Sequence, residues 1–235
     1  MSLFVPVEAK CSKCGTQVKA DLAASVNADR RPDLRAAVLD GSFQSMACPN
    51  CSTTVRFPAH LTYIDMGRGQ WILVEDASRL MAWKAVENEA QDLYDRFFGR
   101  RAPPLQQSIG QEMTPRLVFG WPALREKLIV HDAGLDDITL ELFKISVLRN
   151  VPAPPLADIT ELRLIGANDN RLTLRWLNTS TEEGIADLPL ERSLYDEFAG
   201  TTAKWAELRA EFSGVLFVDM KRILLITADP PVELV

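Results

Sequence analysis

The chain has 235 residues, 47% of them hydrophobic, and a formal net charge of −6. That composition is ordinary for a globular protein, and no apolar run approaches the ~20 residues that a membrane span needs. The charge is uneven: residues 1–100 carry 12 basic and 12 acidic side chains, and residues 101–235 carry 14 and 20, so the chain lacks the basic excess of a dedicated nucleic-acid binder. Residues 1–6 show neither the basic start nor the cleavable apolar core of a signal peptide. The chain therefore reads as cytoplasmic, where thiols stay reduced.

In chain order, residues 1–20 predict a short strand, a tight turn at Cys11-Ser12-Lys13-Cys14-Gly15, and a second strand over 17–20. Residues 29–40 predict a helix, with Pro32 in its first turn, Leu34, Val38 and Leu39 on one face, and Gly41 at its end. A second turn, Cys48-Pro49-Asn50-Cys51, leads into a strand over 53–57. Residues 60–65 and 70–74 form a hairpin around Met66-Gly67-Arg68-Gly69. The Gly-Arg-Gly there lacks the following helix and the full motif of a phosphate loop.

Ser78 caps a helix over 79–98, where Trp83, Val86, Ala90, Leu93, Tyr94 and Phe97 recur at helical spacing. Such a stripe is core or, ending in Phe97 and Phe98, a dimer seam. Arg100 to Gln107, with Pro103-Pro104, reads as a linker or exposed loop. A strand over 116–119, a helix to about 130, a turn at Gly134 and a helix over 136–148 come next. The last is apolar on two sides and so is buried.

Asn150-Val151-Pro152-Ala153-Pro154-Pro155 reads as a connector. Beyond it come a hairpin (159–165 and 171–177) with one wet face, helices over 190–198 and 203–212, and a strand from 215 followed by a helical turn or second strand up to 227. The fold class expected is α+β. A zinc-ribbon-like antiparallel β module with a helical insertion and the long helix fills 1–99. A strand plus helical hairpin packs on it over 114–150, and a C-terminal α+β domain occupies 156–235.

The cysteines carry the chemistry. Cys11, Cys14, Cys48 and Cys51 are all the cysteines present, as two Cys-x-x-Cys pairs with 33 residues between them. Two cysteines two residues apart place both sulfurs on one ion, and Zn²⁺ takes four such thiolates in a tetrahedron at about 2.3 Å. With every position filled by protein, no place is left for a substrate water, so the site is structural. Four thiolates on Zn²⁺ leave −2, which Lys10, Lys13 and Arg56 lie near enough in sequence to offset. A redox dithiol, an iron–sulfur centre and disulfides are the other readings. A redox pair sits where a strand enters a helix, whereas Thr16-Gln17-Val18 and Thr53-Thr54-Val55 continue as strands.

Cys-x-x-Cys-Gly, Ser25-Val26-Asn27, Pro32-Asp33-Leu34, Leu39-Asp40-Gly41-Ser42 and Cys48-Pro49-Asn50-Cys51 together resemble the CpXC family of bacterial and archaeal proteins. Arg116-Leu117-Val118-Phe119-Gly120, Leu124-Arg125-Glu126-Lys127 and Ala133-Gly134-Leu135-Asp136-Asp137 resemble the segment after the cysteines in its longer members. The resemblance covers roughly the first 150 residues. The second motif matches the family name; the first has Ser12 where the name has proline. The resemblance implies zinc binding and no activity, since none is assigned to the family.

No stretch reads as a catalytic centre: there is no nucleophile elbow, Walker loop or dinucleotide fingerprint. His60 and His131 are the only histidines and read as structural or surface groups. Asp136-Asp137 would suit Mg²⁺ or the first turn of a helix, whose dipole acids offset. Glu182-Glu183 reads as solvated. The leading expectation is a non-catalytic module for a protein partner or a homodimer. A nucleic-acid-binding zinc ribbon, and an enzyme using carboxylates at the domain junction, are the alternatives.

Overall fold

Strand β6 (Gln70–Glu75) is buried along its whole length, with a paired strand on each side and both faces covered. The computed structural model describes residues 2–151 and 160–228. They form two compact units, Met1–Arg125 and Glu126–Val235, in an α+β fold.

In the first unit a five-stranded sheet runs in the order β1 (Leu3–Lys10), β2 (Gln17–Asn27), β5 (Leu61–Asp65), β6, β7 (Thr114–Phe119). The sheet is mixed rather than antiparallel throughout: β2 pairs with β5, and β6 with β7, in parallel. A parallel pair needs a crossover, and the sequence supplies both. Helix α1 (Pro32–Asp40) and the hairpin of β3 (Ser45–Ala47) and β4 (Thr54–Arg56) lie between β2 and β5. Helices α2 (Trp83–Phe97) and α3 (Pro104–Gln111) lie between β6 and β7.

Helix α2 buries Trp83, Val86, Ala90 and Tyr94, the expected stripe, while Phe97 stays 54% exposed. The Tyr94 ring meets Trp71 edge-on at 5.2 Å, and its hydroxyl donates to Gly110 O at 2.7 Å. Gly110 is obligatory there, since a Cβ would stand 2.1 Å from Phe98 O. Two expectations need correction here. Asp76, not Ser78, is the cap: its carboxylate accepts from the Ser78 N–H at 3.0 Å, and a 3-10 turn over Ala77–Ala82 precedes α2. Pro103-Pro104 opens α3 instead of a loop, because a proline in the first turn has no N–H to lose.

The second unit contains helix α5 (Asp137–Asn150), the sheet β10 (Gly184–Glu191), β9 (Arg171–Asn178), β8 (Thr160–Ala167) in that order, α6 (Arg192–Ala199), α7 (Ala206–Ala210) and α8 (Met220–Ala228). Helix α4 (Trp121–Asp132) leads into it. One face of α5 contributes Leu140 and Phe143 to a core with Leu162, Leu164, Leu172, Leu174, Trp176 and Tyr195; the other contributes Leu142 to a core with Trp205, Phe212, Val218 and Ile223. Strand β10 adds to the expected elements. The strand expected from 215 is irregular chain, and the helix α8 comes after it, started by Asp219, which accepts from the Lys221 N–H at 2.9 Å. The connector from residue 152 onward lies outside the described residues.

The interior of this unit is charged. Glu126, Glu141 and Lys144 are 0% exposed, and Arg163, Glu161 and Asp219 are 2–5% exposed. Strand β8 ends its sheet, so half of its main-chain groups lack a strand partner. Glu126 Oε1 accepts from the Leu164 N–H at 2.6 Å, and Lys144 Nζ donates to Leu162 O at 3.3 Å. The pair, 3.0 Å apart, thus stands in for a missing strand. Arg163 bridges Glu126 (2.9 Å), Asp219 (2.6 Å) and Glu161 (2.8 Å), and Lys221 reaches Glu161 at 2.9 Å. Buried charge is tolerated only when paired and hydrogen-bonded in this way.

Glu141 is the exception. Its Oε2 accepts from Lys144 (2.8 Å) and from the Met220 N–H (2.8 Å), but its buried Oε1 has no hydrogen-bond partner and only a longer ion pair, with Lys127 Nζ at 3.7 Å. Burial, together with the charges of Glu126 and Asp219, pushes its carboxyl up from 4.5 to about 7 against the pull of Lys144 and Lys127. A raised carboxyl favours the protonated form, so between about pH 4.5 and 7 the folded unit binds more protons than the unfolded chain, and stability falls as pH rises. Burial also raises Glu126, Glu161 and Asp219, but Lys144, Arg163 and Lys221 outweigh it and leave all three below their ordinary values. Their contribution is present above the carboxylate range and lost as pH falls through the lowered values. The unfolding midpoint of this unit is therefore expected to peak near pH 5. Glu141→Gln removes the decline between pH 5 and 7. Urea titrations followed by exchange protection of β8 and β9 check this; a native profile flat over that range contradicts it.

Candidate metal centre

Each cysteine pair forms the tip of a hairpin. In β1–β2 the last pair before the loop is Lys10↔Gln17, and in β3–β4 it is Ala47↔Thr54. Cys11 and Cys48 are the next residues. The two loops then repeat one hydrogen-bond pattern. The Cys11 N–H donates to Thr16 O (2.9 Å) and the Gly15 N–H to Cys11 O (2.9 Å); the Cys48 N–H donates to Thr53 O (2.8 Å) and the Ser52 N–H to Cys48 O (2.9 Å). The residue after the second cysteine is left-handed in both, Gly15 at φ 71° and Ser52 at φ 58°.

Glycine adopts that conformation freely, and serine does not. Ser52→Gly is expected to stabilise the second loop by up to about 1 kcal/mol, read as a slower amide exchange at Cys48 and Thr53. No change, or a loss, would mean that the left-handed turn costs serine nothing here.

The loops bring all four sulfurs within 4.8 Å of one another. Cys11 Sγ lies 3.6 Å from Cys51 Sγ, and Cys14 Sγ 3.6 Å from Cys48 Sγ. A tetrahedron with ~2.3 Å arms has edges of about 3.8 Å, so the donor set fits one metal ion. Cys11 and Cys48 are buried, Cys51 is half-buried and Cys14 is exposed. Val18, Leu22, Val55 and Phe57 pack beneath the sulfurs as a small core. Trp121 steadies the base of the second hairpin: its indole N–H donates to Phe57 O at 2.9 Å, and its ring meets Phe43 edge-on at 5.3 Å.

Threonine hydroxyls flank the outer sulfurs. Thr16 Oγ1 is 3.2 Å from Cys14 Sγ, and Thr53 Oγ1 is 3.4 Å from Cys51 Sγ. Hydrogen bonds from the Thr16 hydroxyl and amide and from the Asn50 side chain push the Cys14 thiol down to about 5. Thr53 does the same, in direction, for Cys51. Amides of Cys14 and Lys13 favour the Cys11 thiolate, yet burial and the neighbouring sulfurs push that thiol up to about 11. Four adjacent thiols cannot all ionise by themselves; a divalent cation removes that conflict. Arg56 also serves the fold. Its guanidinium donates to Gly41 O (2.9 Å) and Phe43 O (2.6 Å), closing the end of α1. Lys10 and Lys13 are exposed beside the loops.

The other expected groups have partners of their own. His60 Nδ1 is 3.2 Å from Glu75, and His131 Nδ1 is 3.9 Å from Asp132. Asp136 caps α5 by accepting from the Thr139 N–H at 2.8 Å, and Asp137 pairs with Lys127 at 3.1 Å. Glu182 and Glu183 sit in the exposed turn after β9. The equivalence of Thr16 with Thr53 and of Gly15 with Ser52 emerges only in the folded chain, although Cys-x-x-Cys-Gly-Thr and Cys-x-x-Cys-Ser-Thr carry it in plain view. Among the described residues, no helix is long and apolar enough to cross a membrane.

No curated protein and no solved structure matches the chain. The family model described as CpXC protein does, over residues 9–144. That span takes in both loops, the helix between them and the strands that support them, and by it the chain belongs to the CpXC family.

Proposed function

We propose that the chain holds one structural Zn²⁺ on Cys11, Cys14, Cys48 and Cys51, and that it serves in the cytoplasm as a non-catalytic interaction module of zinc-ribbon type. The observation that carries this reading is the convergence of four sulfurs from two matched loops within 4.8 Å. Soft thiolates with tetrahedral spacing suit zinc, and four protein ligands leave no coordination site for a substrate. When bound, the ion supplies a fixed closure between two hairpins whose own core is four apolar side chains deep.

The acids that would serve an enzyme are committed to the fold: Glu126, Glu161 and Asp219 are buried against Lys144, Arg163 and Lys221. That favours an interaction role over catalysis, with a protein partner or a second copy as the counterpart. Elemental analysis of the purified chain tests the metal. One zinc per chain, lost together from Cys11→Ser and Cys48→Ser variants, supports the reading; iron, or no metal in a reduced preparation, refutes it.

A further inference from the structure

The four sulfurs are unequal in a way that structural closure does not require. Cys11 and Cys48 are 2% and 1% exposed, Cys51 is half-buried, and Cys14 faces solvent. Cys14 Sγ lies 3.6 Å from Cys48 Sγ on the opposite loop; the matching contact, Cys11 to Cys51 at 3.6 Å, also crosses between loops. We infer that Cys14 is the point at which peroxide enters the site, and that oxidation there replaces the ion by a covalent tie between the two loops. This rests on the reading of the cluster as a zinc site.

The chemistry balances with hydrogen peroxide as the oxidant. The Cys14 thiolate attacks one peroxide oxygen, the O–O bond breaks, and hydroxide leaves, so that Cys14 becomes a sulfenic acid. The Cys48 thiolate then attacks the Cys14 sulfur, an S–S bond forms, and the second oxygen leaves as hydroxide. Sulfur has given two electrons, peroxide has accepted them, and two protons from solvent complete two waters. On the ion all four sulfurs are thiolates, so exposure selects the one that reacts first, and Cys14 is the one that faces solvent. Cys11 and Cys51 alone do not hold the ion in competition with a chelator. Because the bond joins the hairpins, the zinc departs while the hairpins stay together. Simple chelation separates them.

Thr16 makes the inference testable without touching a ligand. Its hydroxyl lies against Cys14 as that of Thr53 lies against Cys51, and a hydrogen bond to a thiolate restrains its nucleophilicity. The zinc-loaded full chain, shown first to contain one zinc, is mixed with hydrogen peroxide and a chromogenic chelator, with dimedone to trap sulfenic acid. Thr16→Val is expected to release zinc at least about threefold faster than the native chain, and Thr53→Val at the native rate. Dimedone marks Cys14 first, and without it peptide mapping finds Cys14 joined to Cys48. Label arriving first on Cys51, equal acceleration by the two threonine variants, or zinc retained under peroxide would overturn the inference and leave the zinc reading intact. A chain that carries no zinc at the outset overturns both.

Discussion

Replacing Lys144 by methionine is expected to cost the second unit about 3–5 kcal/mol, the usual effect of removing one partner from a buried pair. Methionine fills the space of the lysine stem, so little packing is lost. What remains is charge: Glu126 and Glu141 both lose the Lys144 ammonium while both stay 0% exposed, leaving Glu141 only Lys127 at 3.7 Å. Leu162 O also loses its donor on the open side of β8. A domain has roughly 5–15 kcal/mol in all, so the loss is a large share of the total. Urea unfolding of native and variant chains measures the difference. A loss under about 1 kcal/mol would show that Arg163 and Lys127 satisfy the two carboxylates without Lys144.

Stripping the metal is expected to act at the other end of the chain, and locally. Structural zinc contributes about 10–16 kcal/mol in zinc-finger peptides, and the small core under these sulfurs cannot replace it. Under chelator and reductant, amide protection is expected to vanish from both cysteine loops and from β3 and β4. Strands β5, β6 and β7 keep theirs, because Trp71, Ile72 and Val74 are sealed by α2 and by their own neighbours. Hydrogen exchange before and after chelation reads this directly. Protection unchanged at Cys48 and Thr53 would remove the ion from the account of the fold; loss spreading to β6 would make the ion responsible for the whole unit.

The parts legible in the sequence are those whose chemistry leaves a spacing behind. Two Cys-x-x-Cys turns announce a tetrahedral donor set, and a stripe at Val86, Ala90 and Tyr94 announces a buried helix face. Local signals with two physical meanings mislead. Pro103-Pro104 breaks a helix or begins one, and only the chain after it decides which. Residues 184–191 contain Gly184 and Pro189, which argue against a strand, yet β10 is an edge strand whose missing N–H is tolerated. The charged interior is hidden for a different reason. Glu141 and Lys144 look like a solvent-facing pair one helical turn apart, and the partners that satisfy them when buried, Glu126, Leu162 O and the Met220 N–H, lie elsewhere along the chain. No window of sequence contains that information.

The two matched loops depend on each other. Neither loop completes a tetrahedron without the other, and the ion does not register whether they belong to one polypeptide. A chain divided after Gly41, between α1 and β3, would give two fragments with half a donor set each. Their reassembly would be switched by zinc concentration, making the site a ready-made reporter of free metal.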